Sequence, residues 1–176
     1  FTVHLGHLED DRWFHNHTEA FLADLGNRSV AVLDELVGLY GGGRHKSFVG
    51  IYDPQEINDR DWPHKGGDPH EAQWMLEHYA GKTFPWARAH GYATSTAPFF
   101  FNSSSPAVAA AWWRDTFFAS VPDVTRVLLD DDQATNFWTV EGPIPFFDAF
   151  CKDAAAPHGV ACWADAVDHG HGDQPM

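Results

Sequence analysis

Three consecutive aspartates, Asp130, Asp131 and Asp132, follow the most strand-like segment of the chain, residues 124–129. A parallel strand delivers the residues after it to the carboxyl edge of its sheet, where ligands bind in open α/β folds. Clustered carboxylates supply the oxygen ligands that hard cations such as Mn²⁺ and Ca²⁺ prefer. The pattern predicts a divalent-metal site with Asp130 and Asp132 as ligands. The alternative is a solvated turn after a strand.

A second group of candidate side chains lies in the polar segment 53–69 and the helix predicted after it. Asp68 is a candidate third metal ligand, and His64 and His70 are candidates for a catalytic acid or base. Imidazole and carboxylate together also suit zinc, so the metal could be Mn²⁺, Ca²⁺ or Zn²⁺. No HExxH motif is present, because position 74 is Trp. A solvated loop with surface histidines is the alternative.

Three of the five asparagines begin an N-x-[ST] sequon, namely Asn16, Asn27 and Asn102. This is more than chance would give, and it predicts N-glycosylation at exposed positions. The two cysteines, Cys151 and Cys162, lie close in sequence and predict one disulfide, with two free thiols as the alternative. Together these features predict a secreted protein or one in the lumen of the secretory pathway.

Charge and hydropathy limit the partners. With 25 acidic and 11 basic residues, the net charge is −14, which argues against nucleic acid because phosphate binding uses clustered Lys and Arg. No stretch of 18 apolar residues occurs, so no membrane span is expected. The oligomeric state is left open, and the expected ligand is a glycan or a small molecule.

The order of elements predicts the fold. Apolar runs read as strands at residues 1–8, 47–52, 97–101 and 124–129. Helical spacing and capping signals predict helices at 12–25, 29–40, 70–80 and 105–119, with Gly26 ending the first and Gly81 the third. Alternating strands and helices predict an α/β fold, a single layered domain with a small central sheet flanked by helices. Residues 1–166 would form this domain and 167–176 a flexible His- and Gly-rich tail.

Aromatic residues make up 15% of the chain, including eight Trp. Helical spacing predicts that Trp112 or Trp113 packs inward with Phe117 and Phe118. Trp62 and Trp86, each beside a proline, are candidates for stacking on sugar rings.

The leading hypothesis is a metal-dependent enzyme of hydrolase or glycosyl-transfer type acting on a glycan or phosphorylated substrate. The strand that ends in aspartate, residues 124–132, is loosely similar to the Asp–metal motif of lumenal nucleotide-sugar-dependent transferases. One alternative is a non-catalytic carbohydrate- or ligand-binding glycoprotein. Another is a structural subunit of an extracellular assembly, with 97–101 or 143–147 as interfaces.

Overall fold

A five-stranded, wholly parallel sheet forms the centre of the molecule. The computed structural model describes residues 2–40, 45–62, 68–130 and 143–165. The strands are β1 (Val3–Gly6), β2 (Phe48–Asn58), β3 (Ala93–Phe99), β4 (Arg126–Asp130) and β5 (Ala161–Asp165). Their spatial order follows the chain, β1-β2-β3-β4-β5. The predicted α/β class is confirmed.

Helices connect each strand to the next. They are α1 (Glu19–Tyr40), α2 (Glu71–Trp74), α3 (Gly81–Ala89), α4 (Pro106–Trp112), α5 (Phe118–Ser120) and α6 (Ile144–Ala149). π-helical turns at Met75–Ala80 and Trp113–Phe117 join α2 to α3 and α4 to α5, and another, Phe150–Ala155, extends α6. The predicted start at Ser105 and Pro106 is confirmed, since the Ser105 hydroxyl accepts the Val108 N–H.

The described helices pack on one face of the sheet. Crossovers between parallel strands are right-handed, so strands added always in the same direction keep their helices on the same side. One hydrophobic core joins Val127 and Leu129 of the sheet to Leu22 of α1 and to Trp113. We call this side the helix face and the other side the open face. By strand alternation the open face carries His4, Tyr52, Ser95, Arg126 and Trp163.

Aromatic side chains fill the core beneath the helices. Trp113, Phe117 and Phe118 are at most 1% exposed, which confirms the inward packing predicted for this helix. The Trp113 ring lies 4.4 Å from Phe117 and 5.1 Å from Phe150, centroid to centroid. Each such pair adds about 0.5–1.5 kcal/mol beyond burial of its area.

Two glycines predicted to end helices instead lie inside helical rods. Helix α1 continues through Gly26, where an added Cβ would lie 2.0 Å from the carbonyl oxygen of His78. Gly26 is therefore a close contact between two helices and not a C-cap. Gly81 likewise continues the helical rod from α2 into α3, and an added Cβ would lie 2.6 Å from the Leu76 carbonyl oxygen.

Cys151 and Cys162 form the predicted disulfide, with Cα atoms 5.7 Å apart. The bond ties the π-helical turn after α6 to β5. Among the described helices, none is long and apolar enough to cross a bilayer.

Candidate functional site

The last residues of β4 and β5 are both aspartates. Asp130 pairs in register with Asp165 at the carboxyl ends of these neighbouring parallel strands. Adjacent strands lie about 4.8 Å apart, so the backbones of the two aspartates are immediate neighbours. This is the edge at which ligands bind in parallel α/β folds. We call the pair the edge aspartates.

A buried carboxylate fixes the neighbouring part of the same edge. Asp59, one residue beyond β2, accepts hydrogen bonds from the N–H of Phe101 at 2.6 Å and of Ser104 at 2.8 Å, and from the Ser104 hydroxyl at 3.1 Å. Next to it, the Asn58 amide donates to Asp61. These bonds hold the loop after β3 against the end of β2, so this part of the edge is built from fixed backbone.

A polar layer crosses the open face beneath that edge. The His4 ring lies over Gly50 and reaches Ser95, with its Nδ1 2.9 Å from the Ser95 hydroxyl. Arg126 approaches from the other side, with Nη1 3.3 Å from His4 Nε2. A Cβ at Gly50 would lie 2.4–2.6 Å from the ring atoms of His4. Glycine at position 50 therefore makes the layer possible.

Trp163 is an exposed aromatic residue of this face. It is 51% exposed, and the Arg126 guanidinium lies 3.8 Å from its ring centroid. Trp163 is paired with Leu128, two residues before the edge aspartates along both strands. The open face thus presents an aromatic surface close to the strand ends that carry the edge aspartates.

The helix face contains a different polar group, formed by His7, Asp53 and Tyr79. The Tyr79 hydroxyl donates a short hydrogen bond to Asp53, and the Gln55 N–H donates to the same oxygen at 3.1 Å. His7 Nε2 lies 3.7 Å from Asp53, and both side chains are at most 2% exposed. A cavity of about 10 Å³, room for about one water, lies between His7, Asp53 and Thr83.

Burial shifts the titration of all three groups. Desolvation raises the pKa of Asp53 to about 7, against the opposing effect of the Tyr79 hydrogen bond, and lowers the pKa of His7 to about 4. Desolvation and the adjacent carboxylate hold the pKa of Tyr79 well above its ordinary value. Perturbed pKa values often mark functional sites, but this group is closed to a substrate by the helices.

No family model, no curated protein and no solved structure matches this chain.

The candidate residues of segment 53–69 and the helix after it are only partly described. His64 lies outside the described residues, as do Asp131 and Asp132. Asp68 and His70 are exposed, and the Asp68 carboxylate accepts the N–H of His70 at 2.9 Å, so it supports the start of α2.

The described parts of the chain contain no group of three His, Cys, Asp or Glu side chains placed to share a metal. The metal site at Asp130, Asp132 and Asp68 stays a prediction, as do the catalytic roles of His64 and His70.

The three sequons differ in their surroundings. Asn102 is exposed in the turn after β3. Asn27 is exposed on α1, although Ser29, the third residue of its sequon, is buried. Asn16 is half-buried and accepts hydrogen bonds from both the N–H and the hydroxyl of Thr18. Glycosylation at these positions stays a prediction.

The structure changes the predictions for the two tryptophans that were candidates for stacking on sugar rings. Trp62 is 1% exposed and packs against Trp13 at 5.5 Å, so it is a core residue. Trp86 is half-buried, stacked on His90 and hydrogen-bonded to Asp34. The sequence reading missed Trp163 and Asp165. The available signal was the short run Ala161–Asp165, which ends in aspartate as β4 does.

Proposed function

We propose that the protein is an enzyme of hydrolase or glycosyl-transfer type that acts on a glycan at the carboxyl edge of its sheet. The observation that carries the proposal is the register of β4 and β5, which makes Asp130 and Asp165 neighbours at that edge. Trp163, half-exposed next to them, supports a sugar as the substrate because aromatic faces stack on sugar rings.

Two neighbouring carboxyl groups can divide acid and base roles between them. When one is ionised, its charge raises the pKa of the other, which then keeps its proton near neutral pH. Cleavage of a glycosidic bond uses such a pair: the protonated carboxyl protonates the leaving oxygen, and the carboxylate acts as nucleophile or activates water. The paired aspartates at the ends of β4 and β5 supply these two groups.

The same edge could hold a divalent cation, as the sequence predicts for Asp130 and Asp132. A metal would polarise a phosphoryl or glycosyl oxygen and orient the substrate. The two chemistries differ in one measurable respect, since a chelator abolishes turnover only if a metal takes part. Calorimetry with Mn²⁺, Ca²⁺ and Zn²⁺ on wild type and on Asp130→Ala tests the metal directly.

The test of the enzyme proposal is turnover on a panel of oligosaccharides. Asp130→Asn and Asp165→Asn should each lower turnover at least about 100-fold, the lower end of the range for acid–base groups. The matched control is Asp148→Asn, an exposed carboxylate of α6 whose partner is Lys152. If Asp130→Asn and Asp165→Asn keep the turnover of wild type, the proposal is wrong.

Trp163 also favours a second candidate, a carbohydrate-binding protein without turnover. Binding to a glycan array that is lost in Trp163→Ala, unchanged by Asp165→Asn and accompanied by no turnover would select it over the enzyme.

The proposed location is the secretory pathway. The Cys151–Cys162 disulfide supports it, because cytosolic thiols are kept reduced. Exposure of Asn27 and Asn102 is compatible with glycans there. Expression in a secretory host should give a protein whose mass falls on treatment with an N-glycosidase. Asn102→Gln should then lose one glycan.

A further inference from the structure

Arg126 carries a charge that no described carboxylate neutralises. It forms no ion pair with the described side chains of residues 2–40, 45–62, 68–129 and 143–163, although most arginines of this acidic chain form one. Its Nε is closed to solvent and has no hydrogen-bond partner in that part of the chain. A buried donor without an acceptor costs about 1–3 kcal/mol, so the described side chains leave the hydrogen-bonding capacity of this guanidinium partly unused.

The contacts of Arg126 fix it without neutralising it. Its Nη1 faces His4 Nε2, and His4 Nδ1 faces the Ser95 hydroxyl. Burial and the Arg126 charge lower the pKa of His4, which favours the neutral ring, whose Nε2 can accept a hydrogen bond from the guanidinium. The Ser95 hydroxyl can in turn donate to the Ile51 carbonyl at 3.3 Å. The guanidinium is thus oriented in advance and keeps its charge for an anion.

Trp163 adds an apolar surface to this charge. Arg126 lies over its ring at 3.8 Å, yet half of the Trp163 side chain remains exposed. A cation beside an exposed indole is suited to a ligand that combines a flat apolar face with an anionic group.

We propose that Arg126 and Trp163 bind an acidic sugar unit, the guanidinium holding its carboxylate and the indole stacking on its ring. A guanidinium pairs with carboxylate through parallel N–H···O bonds. One carboxylate balances the one charge of Arg126. A phosphate dianion would leave an unbalanced negative charge on a protein whose net charge is already −14.

The inference depends on the proposed function for the glycan, and it adds the kind of glycan. Arg126 and Asp130 lie four residues apart on β4 and on the same face, about 13 Å at 3.3 Å per residue. One chain of sugars can therefore occupy both places, with its acidic unit beside Arg126 and the bond to be cleaved at the edge aspartates.

The experiment compares two oligosaccharides in wild-type protein by calorimetry and by quenching of tryptophan fluorescence. One contains glucuronate, and the other is the same molecule with the carboxyl group reduced to an alcohol. We expect the acidic form to bind at least about tenfold more tightly, the effect of a charge-assisted hydrogen bond. Equal affinity overturns the inference, and so does tighter binding of inorganic phosphate at the same site.

Variants then locate the binding. Arg126→Met keeps an apolar stem and should abolish the preference for the acidic form. Arg88→Met, which removes an exposed arginine paired with Asp123, should keep it. Binding of the acidic sugar without turnover would support the inference and contradict the proposed enzyme. Turnover of neutral glycans with no preference for acidic ones would do the reverse.

Discussion

The two faces of the sheet differ in the environment that they give to ionisable groups. On the helix face, His7, Asp53 and Tyr79 are sealed, and burial favours the neutral form of each. On the open face, Arg126 keeps its charge and lies against Trp163, which is half in solvent. By its perturbed pKa values alone, the helix face would be the candidate functional site. A substrate must first reach the site, however, and the open face offers the exposed side chain of Trp163.

The difference follows from the winding of the chain. Parallel sheets usually carry helices on both faces and are apolar on both. Here the described helices share one side, so apolar residues such as Ile51, Val127 and Leu129 face them. The other side can carry the polar layer of His4 and Arg126. The main hydrophobic core lies between the sheet and these helices, so substitution there should cost more stability than substitution on the other side.

The largest effect is expected at the contact between helices on the covered side. Gly26→Ala places a Cβ 2.0 Å from the His78 carbonyl oxygen, a backbone atom that cannot move alone. We expect a loss of more than about 3 kcal/mol in the free energy of unfolding, or failure to fold. The measurement is chemical denaturation followed by circular dichroism.

Gly38→Ala is the matched control on the same helix, because nothing lies within 4 Å of its would-be Cβ. It should stabilise the protein by about 0.5–1 kcal/mol. Equal effects of the two substitutions would mean that α1 does not pack on the rod formed by α2 and α3.

Gly26 also shows where prediction from sequence ends. Local signals indicated the alternation of strands and helices, the strand before Asp130 and the cap at Ser105, and all of these are confirmed. Whether a glycine ends a helix or admits another backbone depends on a partner, here His78, that is 52 positions away. The open face is equally non-local, because His4, Ser95 and Arg126 become neighbours only through the register of four strands.

The next effect concerns pH and separates the two buried titrating groups. The raised pKa of Asp53 gives stability that is complete below about 4 and lost as the pH rises to about 7. The lowered pKa of His7 gives stability that is complete above 6.5 and lost as the pH falls to about 4. The two trends oppose each other, so this pair should leave the stability of wild type nearly constant between these limits.

Variants that lack one of the two groups should show the pH dependence of stability that the wild type lacks. In His7→Gln, stability should fall as the pH rises from 4 to 7, and in Asp53→Asn it should rise as the pH rises from 4 to 6.5. Each slope should reach at most about 1.4 kcal/mol per pH unit. Denaturation curves at half-unit intervals measure them. Identical profiles for the two variants would contradict the opposite pKa shifts of Asp53 and His7 on the helix face.

A smaller effect is expected when the buried hydroxyl is removed. Tyr79→Phe takes the donor from Asp53 in a closed site and should cost about 1–3 kcal/mol. The loss should be greater at pH 8 than at pH 5, because the hydrogen bond favours the ionised carboxylate. Tyr92→Phe is the control, since within the described residues the Tyr92 hydroxyl has no hydrogen bond and its ring stacks on Phe48. A similar loss in both variants would assign the effect to ring packing.

The smallest effect is expected on the open face. Gly50→Ala places a Cβ within 2.6 Å of the His4 ring, and because the obstacle is a side chain it can swing away. The cost should be about 1 kcal/mol, the value of the lost His4–Ser95 hydrogen bond. The displaced ring should become more exposed and move away from Arg126, so the pKa of His4 should rise towards 6.5 in an NMR titration.

The control is Gly6→Ala on the same face. Its would-be Cβ has its nearest contact at 3.6 Å, so the pKa of His4 should stay unchanged. A loss as large as that of Gly26→Ala would show that the open face is as tightly packed as the covered one, and the comparison between the two faces would fail.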